Sequence, residues 1–144
     1  MMTGKVLKLF ITCDDENKTR LSPEVITVNN DGVLEDKFYN KDLSRSVLIT
    51  SIQSYEIALH EGIEIEPGSL GENILVDLNP YSLLPGDQLQ IGDTVLEITQ
   101  NCTLCKGLSS VSPKLPKLLK NDRGIFAKVI NGKSTIKIND VIKI

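Results

Sequence analysis

Tryptophan is absent from this 144-residue chain, histidine occurs once, and phenylalanine and tyrosine occur three times each. Nucleic-acid surfaces rely on aromatic stacking platforms and a basic excess. With few aromatics and a formal net charge of −3, the chain is not expected to bind nucleic acid. The single histidine, His60, argues against a Ser-His-Asp arrangement, and no phosphate loop or metallohydrolase pair is present. Long apolar runs are missing too. Val6 to Ile11 is broken by Lys8 and is too short for a secretory segment or a membrane span. A cytoplasmic protein without a membrane partner is the expectation. Cysteine is sparse and odd in number: Cys13, Cys102 and Cys105 read better in a reducing compartment as free thiols than as a disulfide framework.

What is there is an ordinary globular composition, 40% hydrophobic and 24% charged, in a length suited to one domain over residues 1–144. Such a chain can bury roughly two thirds of its unfolded surface without disulfide staples. Leu89 and Ile91 alternate with Gln88 and Gln90, and Leu96 and Ile98 with Glu97 and Thr99. Pro85-Gly86 suits the centre of a type II turn and Gly92-Asp93 a two-residue hairpin turn, so this stretch reads as a hairpin that leads to the cysteine pair. Further strands are expected over Lys5 to Thr12, Val25 to Val28 and Val47 to Ile49. A hairpin is expected from Ile125–Ile130 and Thr135–Ile138 across Asn131-Gly132, because Asn-Gly favours the type I′ geometry, and Val141 to Ile144 can extend the sheet. Thr50 to Glu61 reads as a helix, with a Thr50/Gln53 capping box, Ile52, Tyr55 and Leu59 on one face, and Gly62 ready to end it. Lys114 to Lys120 can add one or two helical turns, while Val33 to Leu43 shows no period. Many short strands with frequent turns predict a mainly β, single-domain β-barrel with a few short helices, closure being the way to remove exposed edges.

The chemistry rests on Cys102 and Cys105. A thiol of pKa near 8.5 is mostly protonated at neutral pH, and lowering that value by two units takes roughly 2.7 kcal/mol. Lys106, next to Cys105, and Lys114, Lys117, Lys120 and Arg123 beyond it could supply that stabilisation. Equally, both cysteines can be strand-end residues packed as small hydrophobes, and the lysines a solvated face. A zinc site would need a second ligand pair from Cys13 and His60, which have no ligand spacing. A dithiol exchange site usually precedes a helix N-terminus, but Gly, Ser and Pro follow Cys105. His60 suits the C-terminal end of its helix, and Glu72 and Asn73 can either hold a ligand or order a turn.

Several pieces, in order, carry a resemblance: Arg45-Ser46-Val47-Leu48-Ile49 and the helix after it, Gly68 then Leu70-Gly71-Glu72-Asn73-Ile74, Leu84-Pro85-Gly86-Asp87 with Ile91-Gly92, a cysteine past Thr99-Gln100, and Arg123-Gly124-Ile125-Phe126-Ala127. Together they resemble the MOSC domain, found at the C-terminus of molybdenum cofactor sulfurases and as stand-alone bacterial proteins. The likeness implies a β-barrel that binds the molybdenum cofactor (molybdopterin) and carries sulfane sulfur as a persulfide on Cys105, with Cys102 the extra thiol. It places Arg45, Glu72, Asn73 and Arg123 near the cofactor, with Lys106 beside Cys105. Where the family often shows a Gly-Asp-x-His-like segment, this chain has Glu35-Asp36-Lys37-Phe38, so Asp36 alone matches there. Arginine forks suit phosphate and pterin oxygens. The implied partners are a cysteine desulfurase-type sulfur donor, which would hold any pyridoxal phosphate, and the molybdenum cofactor or a metal–sulfur centre as acceptor. Two further roles are compatible with the resemblance: a molybdenum-dependent reductase of N-hydroxylated compounds with Cys105 as the metal ligand, and a non-enzymatic cofactor-binding module.

Overall fold

The computed structural model describes residues 2–102 and 112–144. Seven strands close into a barrel, as the alternation implies: β1 (Thr3–Leu9), β6 (Val47–Ser51), β7 (Ile74–Val76), β8 (Gln88–Ile91), β9 (Thr94–Asn101), β10 (Ile125–Val129) and β12 (Val141–Lys143). Their spatial order is β1-β12-β8-β9-β10-β6-β7. The β6–β7 pair is parallel, joined across the helix α1 (Ile52–His60), and the other barrel pairs are antiparallel. A three-stranded sheet of β11 (Ser134–Lys137), β4 (Val25–Asn29) and β5 (Gly32–Val33) packs alongside, and β2 (Ile11–Thr12) pairs with β3 (Arg20–Leu21). A short helix α2 (Leu115–Leu118) stands where the lysine-flanked turns were expected.

Alternate positions fill the barrel. Val6, Ile49, Ile74, Ile91, Leu96 and Ile125 are without solvent exposure, and burying such an aliphatic side chain contributes about 1.5–3 kcal/mol. β6 is buried on both faces: Val47 and Ile49 enter the barrel core, while Leu48 packs with Cys102 and Phe126, and Thr50 bonds to Glu72. A second apolar layer joins α1 and α2 to the barrel wall through Tyr55, Ala58, Leu70, Leu75, Leu115 and Leu119. The Pro85-Gly86 turn is closed by Asp87 N donating to Leu84 O at 2.9 Å, with Gly86 at φ +96°. Gly92-Asp93 joins β8 to β9, with Ile91 paired to Thr94.

Three local expectations are corrected. Lys5 to Thr12 is two strands, because at Phe10 the backbone turns its N–H to Asn73 O, 2.8 Å away. Helix α1 is capped by Ser51, whose Oγ accepts from Gln53 N at 3.2 Å. Thr50 is still in β6 with its hydroxyl given to Glu72, and Leu59 points to solvent at 61% exposure while Ser54, Tyr55 and Ala58 face inward. The hairpin across Asn131-Gly132 does not form. β11 pairs with β4 and β10 lies between β6 and β9. Of the two residues, only Gly132 has positive φ, so the type I′ turn is ruled out. Asn131 instead binds the β8–β9 turn, accepting from Val95 N at 3.1 Å and donating to Asp93 O at 2.8 Å.

Candidate functional site

A cavity of about 690 Å3 is walled by the β2–β3 hairpin, the segment 37–45, the loop 68–73 and the turn that leads into β10. That volume lies within the range of small-molecule and cofactor sites. Leu48, Leu70, Phe126 and Cys102 give it an apolar floor. Around the floor stand six cations, Lys18, Arg20, Lys37, Lys41, Arg45 and Arg123. Asp42 is the single acidic side chain among the described lining residues. Its carboxylate already accepts from Ser44 N at 3.0 Å and Ser44 Oγ at 2.7 Å, and these bonds hold it below the usual carboxylate range. A concave site with this balance attracts anions.

The cations are held differently. Lys41 and Arg45 are exposed, Arg20 is half-buried and Arg123 is buried at 9% exposure. Arg20 is fastened by its guanidinium: Nη1 donates to Thr12 Oγ1 at 2.9 Å, Nη2 donates to Gly68 O at 2.9 Å and Glu72 O at 2.8 Å, and the group stacks 5.1 Å above the Phe10 ring. Burial pulls its pKa below the ordinary arginine value, while the Glu72 and Asp36 carboxylates pull the other way. Gly68 makes room for this arrangement. At φ +91°, it would bring an added Cβ to 2.9 Å from Phe10 Cε1.

Behind this wall Glu72 has no solvent exposure. Its Oε2 accepts from Thr50 Oγ1 at 2.6 Å and from the Tyr55 hydroxyl, while Oε1 has no hydrogen-bond partner among the described residues and stands 3.9 Å from Arg20 Nη2. Burial first, then the Glu72 charge, push the Tyr55 phenol well above its ordinary pKa, so it stays a donor. Gly68 N in turn donates to Tyr55 Oη at 3.0 Å. Glu72 therefore ties the loop, the helix and Arg20 together from beneath rather than facing the cavity.

Asn73 lines the cavity with its side chain already engaged: Oδ1 accepts from Leu48 N at 3.0 Å and Nδ2 donates to Phe10 O at 3.2 Å. Asp36 lies buried beneath the rim, where its carboxylate accepts from Thr12 N at 2.7 Å and Phe38 N at 3.2 Å. Arg45 and Arg123 both reach the wall. Cys102, at 2% exposure, has its thiol among Leu48 and Phe126, with its N–H given to Gly124 O at 3.0 Å. Cys105 and Lys106 lie outside the described residues. His60 sits at the end of α1 in a separate shallow groove with Glu56 and Glu61, and no metal-binding group of His, Cys, Asp and Glu occurs among the described residues. Lys18, Arg20, Lys37 and Lys41 escaped the sequence reading. Lys37, Lys41 and Arg45 do recur every fourth residue, but the segment forms turns and one 3-10 turn at Leu43–Arg45 rather than an α-helix.

A model of the MOSC domain family matches residues 36–143. The chain belongs to the MOSC domain family. The family is associated with molybdenum-cofactor binding. The fold of this MOSC domain is also that of solved structures of low identity. The YuaD protein from Bacillus subtilis superposes with a TM-score of 0.81 at 20% identity, covering 98% of this chain and 94% of that one. YiiM from Escherichia coli gives 0.71 at 16%, with 99% and 69% covered, and YiiM from Geobacillus stearothermophilus 0.69 at 14%, with 95% and 72% covered. A comparison with curated proteins gives no match. Lys18 and Arg20 precede the matched residues of the MOSC domain, so the hairpin that carries them adds two of the cavity's charges from outside that region.

Proposed function

We propose that this MOSC domain is a sulfur carrier whose cationic cavity docks the anionic molybdenum cofactor, while Cys105 carries sulfane sulfur as a persulfide. The observation that supports the reading best is the gathering of six cationic side chains against one carboxylate around a cavity of ligand size, in a chain of net charge −3. Lys18 already pairs with Asp14 at 3.0 Å and Arg20 stands 3.9 Å from Glu72 Oε1, yet a neutral ligand would leave the lining with an excess of positive charge. A phosphate-bearing pterin would compensate that excess, and its ring fits the apolar floor of Leu48, Leu70 and Phe126. Arg123, Arg20 and Arg45 would hold the acidic groups, with Lys18, Lys37 and Lys41 at the mouth adding longer-range attraction. Asn73 and Glu72 would keep the wall in shape. When bound, the cofactor supplies the metal that uses the sulfur.

The loading step needs only thiol exchange. The Cys105 thiolate attacks the outer sulfur of a persulfide on a cysteine desulfurase-type donor, the donor S–S bond breaks, and the donor cysteine leaves as its thiolate. Cys102 can end the cycle: its thiolate attacks the inner sulfur on Cys105, expels hydrosulfide and forms a disulfide. Intact-mass spectrometry after incubation with a cysteine desulfurase and cysteine tests the carrier role. Wild type should gain the mass of one sulfur atom, Cys102→Ser should gain it too, and Cys105→Ser should gain none. Equal loading of Cys105→Ser would overturn the assignment. Docking is tested by pterin analysis of protein from a cofactor-producing host. Consistent absence of pterin, with no uptake of added cofactor, would overturn that half.

A further inference from the structure

We infer that the Tyr81 phenol and the Ser54 hydroxyl are positioning residues for Arg123, forming a relay from α1 that fixes the turn from which this arginine enters the cavity wall. The inference rests on the anion-binding reading of the cavity, since the placement of Arg123 matters only if that side chain meets a ligand.

Arg123 lies between two carbonyls that are both claimed. The Asp122 carbonyl accepts from Ser54 Oγ, and the Gly124 carbonyl accepts from Cys102 N at 3.0 Å. Ser54 Oγ also lies 2.6 Å from Tyr81 Oη. A carbonyl can only accept, so the one Ser54 proton points at Asp122, and the Tyr81 proton must point at Ser54. Tyr81 Oη in turn accepts from Ser51 N, 2.7 Å away, at the cap of α1. The order of donors is thereby fixed: Ser51 amide to Tyr81, Tyr81 to Ser54, Ser54 to Asp122.

The rest of the surroundings leave the relay little freedom. Ser54 has no solvent exposure. Tyr81 is held by its own N–H on Asn79 Oδ1 at 2.9 Å, and Asn79 Nδ2 reaches Gln53 Oε1 at 2.6 Å, so the loop before β8 is pinned to the first turn of α1. Burial pushes the Tyr81 phenol up to about 12, which keeps it a donor at neutral pH. On the other flank of Arg123, a Cβ at Gly124 would stand 3.0 Å from Leu48 Cδ1 and 3.4 Å from Ile49 O, so the turn runs close enough to β6 to leave little room for a side chain there. Neither Tyr81 nor Ser54 lines the cavity, whereas Arg123 does. Their effect on a ligand must therefore pass through the turn.

Titration calorimetry of the full chain with inorganic pyrophosphate tests this. Tyr81→Phe keeps the ring and removes both the donor to Ser54 and the acceptor of the Ser51 N–H, and through loss of the Ser54 link it should weaken pyrophosphate binding about three- to tenfold. In an Arg123→Met background the same change should have no further effect beyond about twofold, because coupled residues are non-additive. An equal loss in both backgrounds, or none in either, would overturn the proposal and leave the relay a purely structural feature. If Tyr81→Phe does not fold, Ser54→Ala in the same two backgrounds decides the question by the same comparison. Should pyrophosphate bind wild type and Arg123→Met equally, Arg123 is not the residue being positioned and the proposal falls while the cavity reading stands. Should it bind neither, and added molybdenum cofactor bind neither, the cavity reading falls and takes the relay with it.

Discussion

Glutamine at position 72 would keep the volume of a side chain that has no solvent exposure and remove its charge. The Thr50 and Tyr55 hydroxyls both donate to Oε2. Hydrogen bonds to an ionised group contribute about 1.5–3 kcal/mol and neutral ones about 1 kcal/mol, so the two together weaken by roughly 1–4 kcal/mol. The second effect is on Arg20, whose Nη2 stands 3.9 Å from Oε1. At an effective dielectric of about 20 their gross attraction is about 4 kcal/mol. The Arg20 side chain is 30% exposed, and screening with desolvation reduces the net contribution to about 1 kcal/mol. An amide would also set an N–H group against the guanidinium or else turn it toward the two hydroxyls, and either orientation spoils one set of contacts. Glu72→Gln should therefore destabilise the fold by about 2–5 kcal/mol and lower Tm by roughly 5–20 °C for a domain of this size. Urea unfolding followed by far-ultraviolet circular dichroism and tyrosine fluorescence would measure it, the chain having no tryptophan. A loss below about 1 kcal/mol with an unchanged m-value would refute the reasoning, because the carboxylate would then not be the charged tie between α1, the loop and Arg20.

Other outcomes follow from the same contacts. Gly68→Ala should cost about 2–4 kcal/mol in the same assay, since the residue sits at φ +91° with its would-be Cβ 2.9 Å from the Phe10 ring. Tyr81 has its pKa raised from 10.0 to about 12, so the folded state favours the neutral phenol. Its contribution is fully present below pH 10 and is lost as pH rises through about 12, and Tyr81→Phe should flatten that part of an alkaline unfolding profile. Anion binding should fall steeply with salt, and Lys41→Met should reduce the slope of that dependence. Arg123→Met should cost more affinity than Lys41→Met at every salt concentration, because buried Arg123 is less screened than exposed Lys41. Calorimetric titrations with pyrophosphate at several ionic strengths would check both statements.

The barrel was legible where pattern and turn chemistry agree. Gln88–Ile91 and Thr94–Asn101 alternate with period two and are joined by Gly92-Asp93, so local rules suffice. They fail at Asn131-Gly132, where the same kind of turn signal was overridden by the pairing of β11 with β4 and by the Asn131 side chain capping another turn. Thr50 and Ser51 are both good helix caps, and only the extent of β6 decides between them. Arg45, Asn73 and Arg123 were singled out by resemblance and do line one cavity, whereas Asp36 and Glu72, chosen the same way, lie under its wall. Lys18 and Arg20 carried no period to betray them, and the four-residue spacing of Lys37 and Lys41 fell in a stretch that forms no α-helix. Lys18 and Asn40 hold left-handed backbone at φ 49° and 55°, and the two segments are joined where Lys37 N bonds to Thr12 O and Thr12 N to Asp36 Oδ1. Convergence of this kind is tertiary and leaves no mark in a single sequence.

The pairing of β1 with β12, Thr3 opposite Lys143, also governs when the ring can form. During synthesis β1 leaves the ribosome well before β12 and must wait for the strands between them before its second neighbour arrives. Until then it has only β7 beside it, with one backbone edge open and its apolar residues incompletely covered. Folding should accordingly be slow for a chain of this length, and a helper that shields the nascent edge would raise the yield more than one that acts after release.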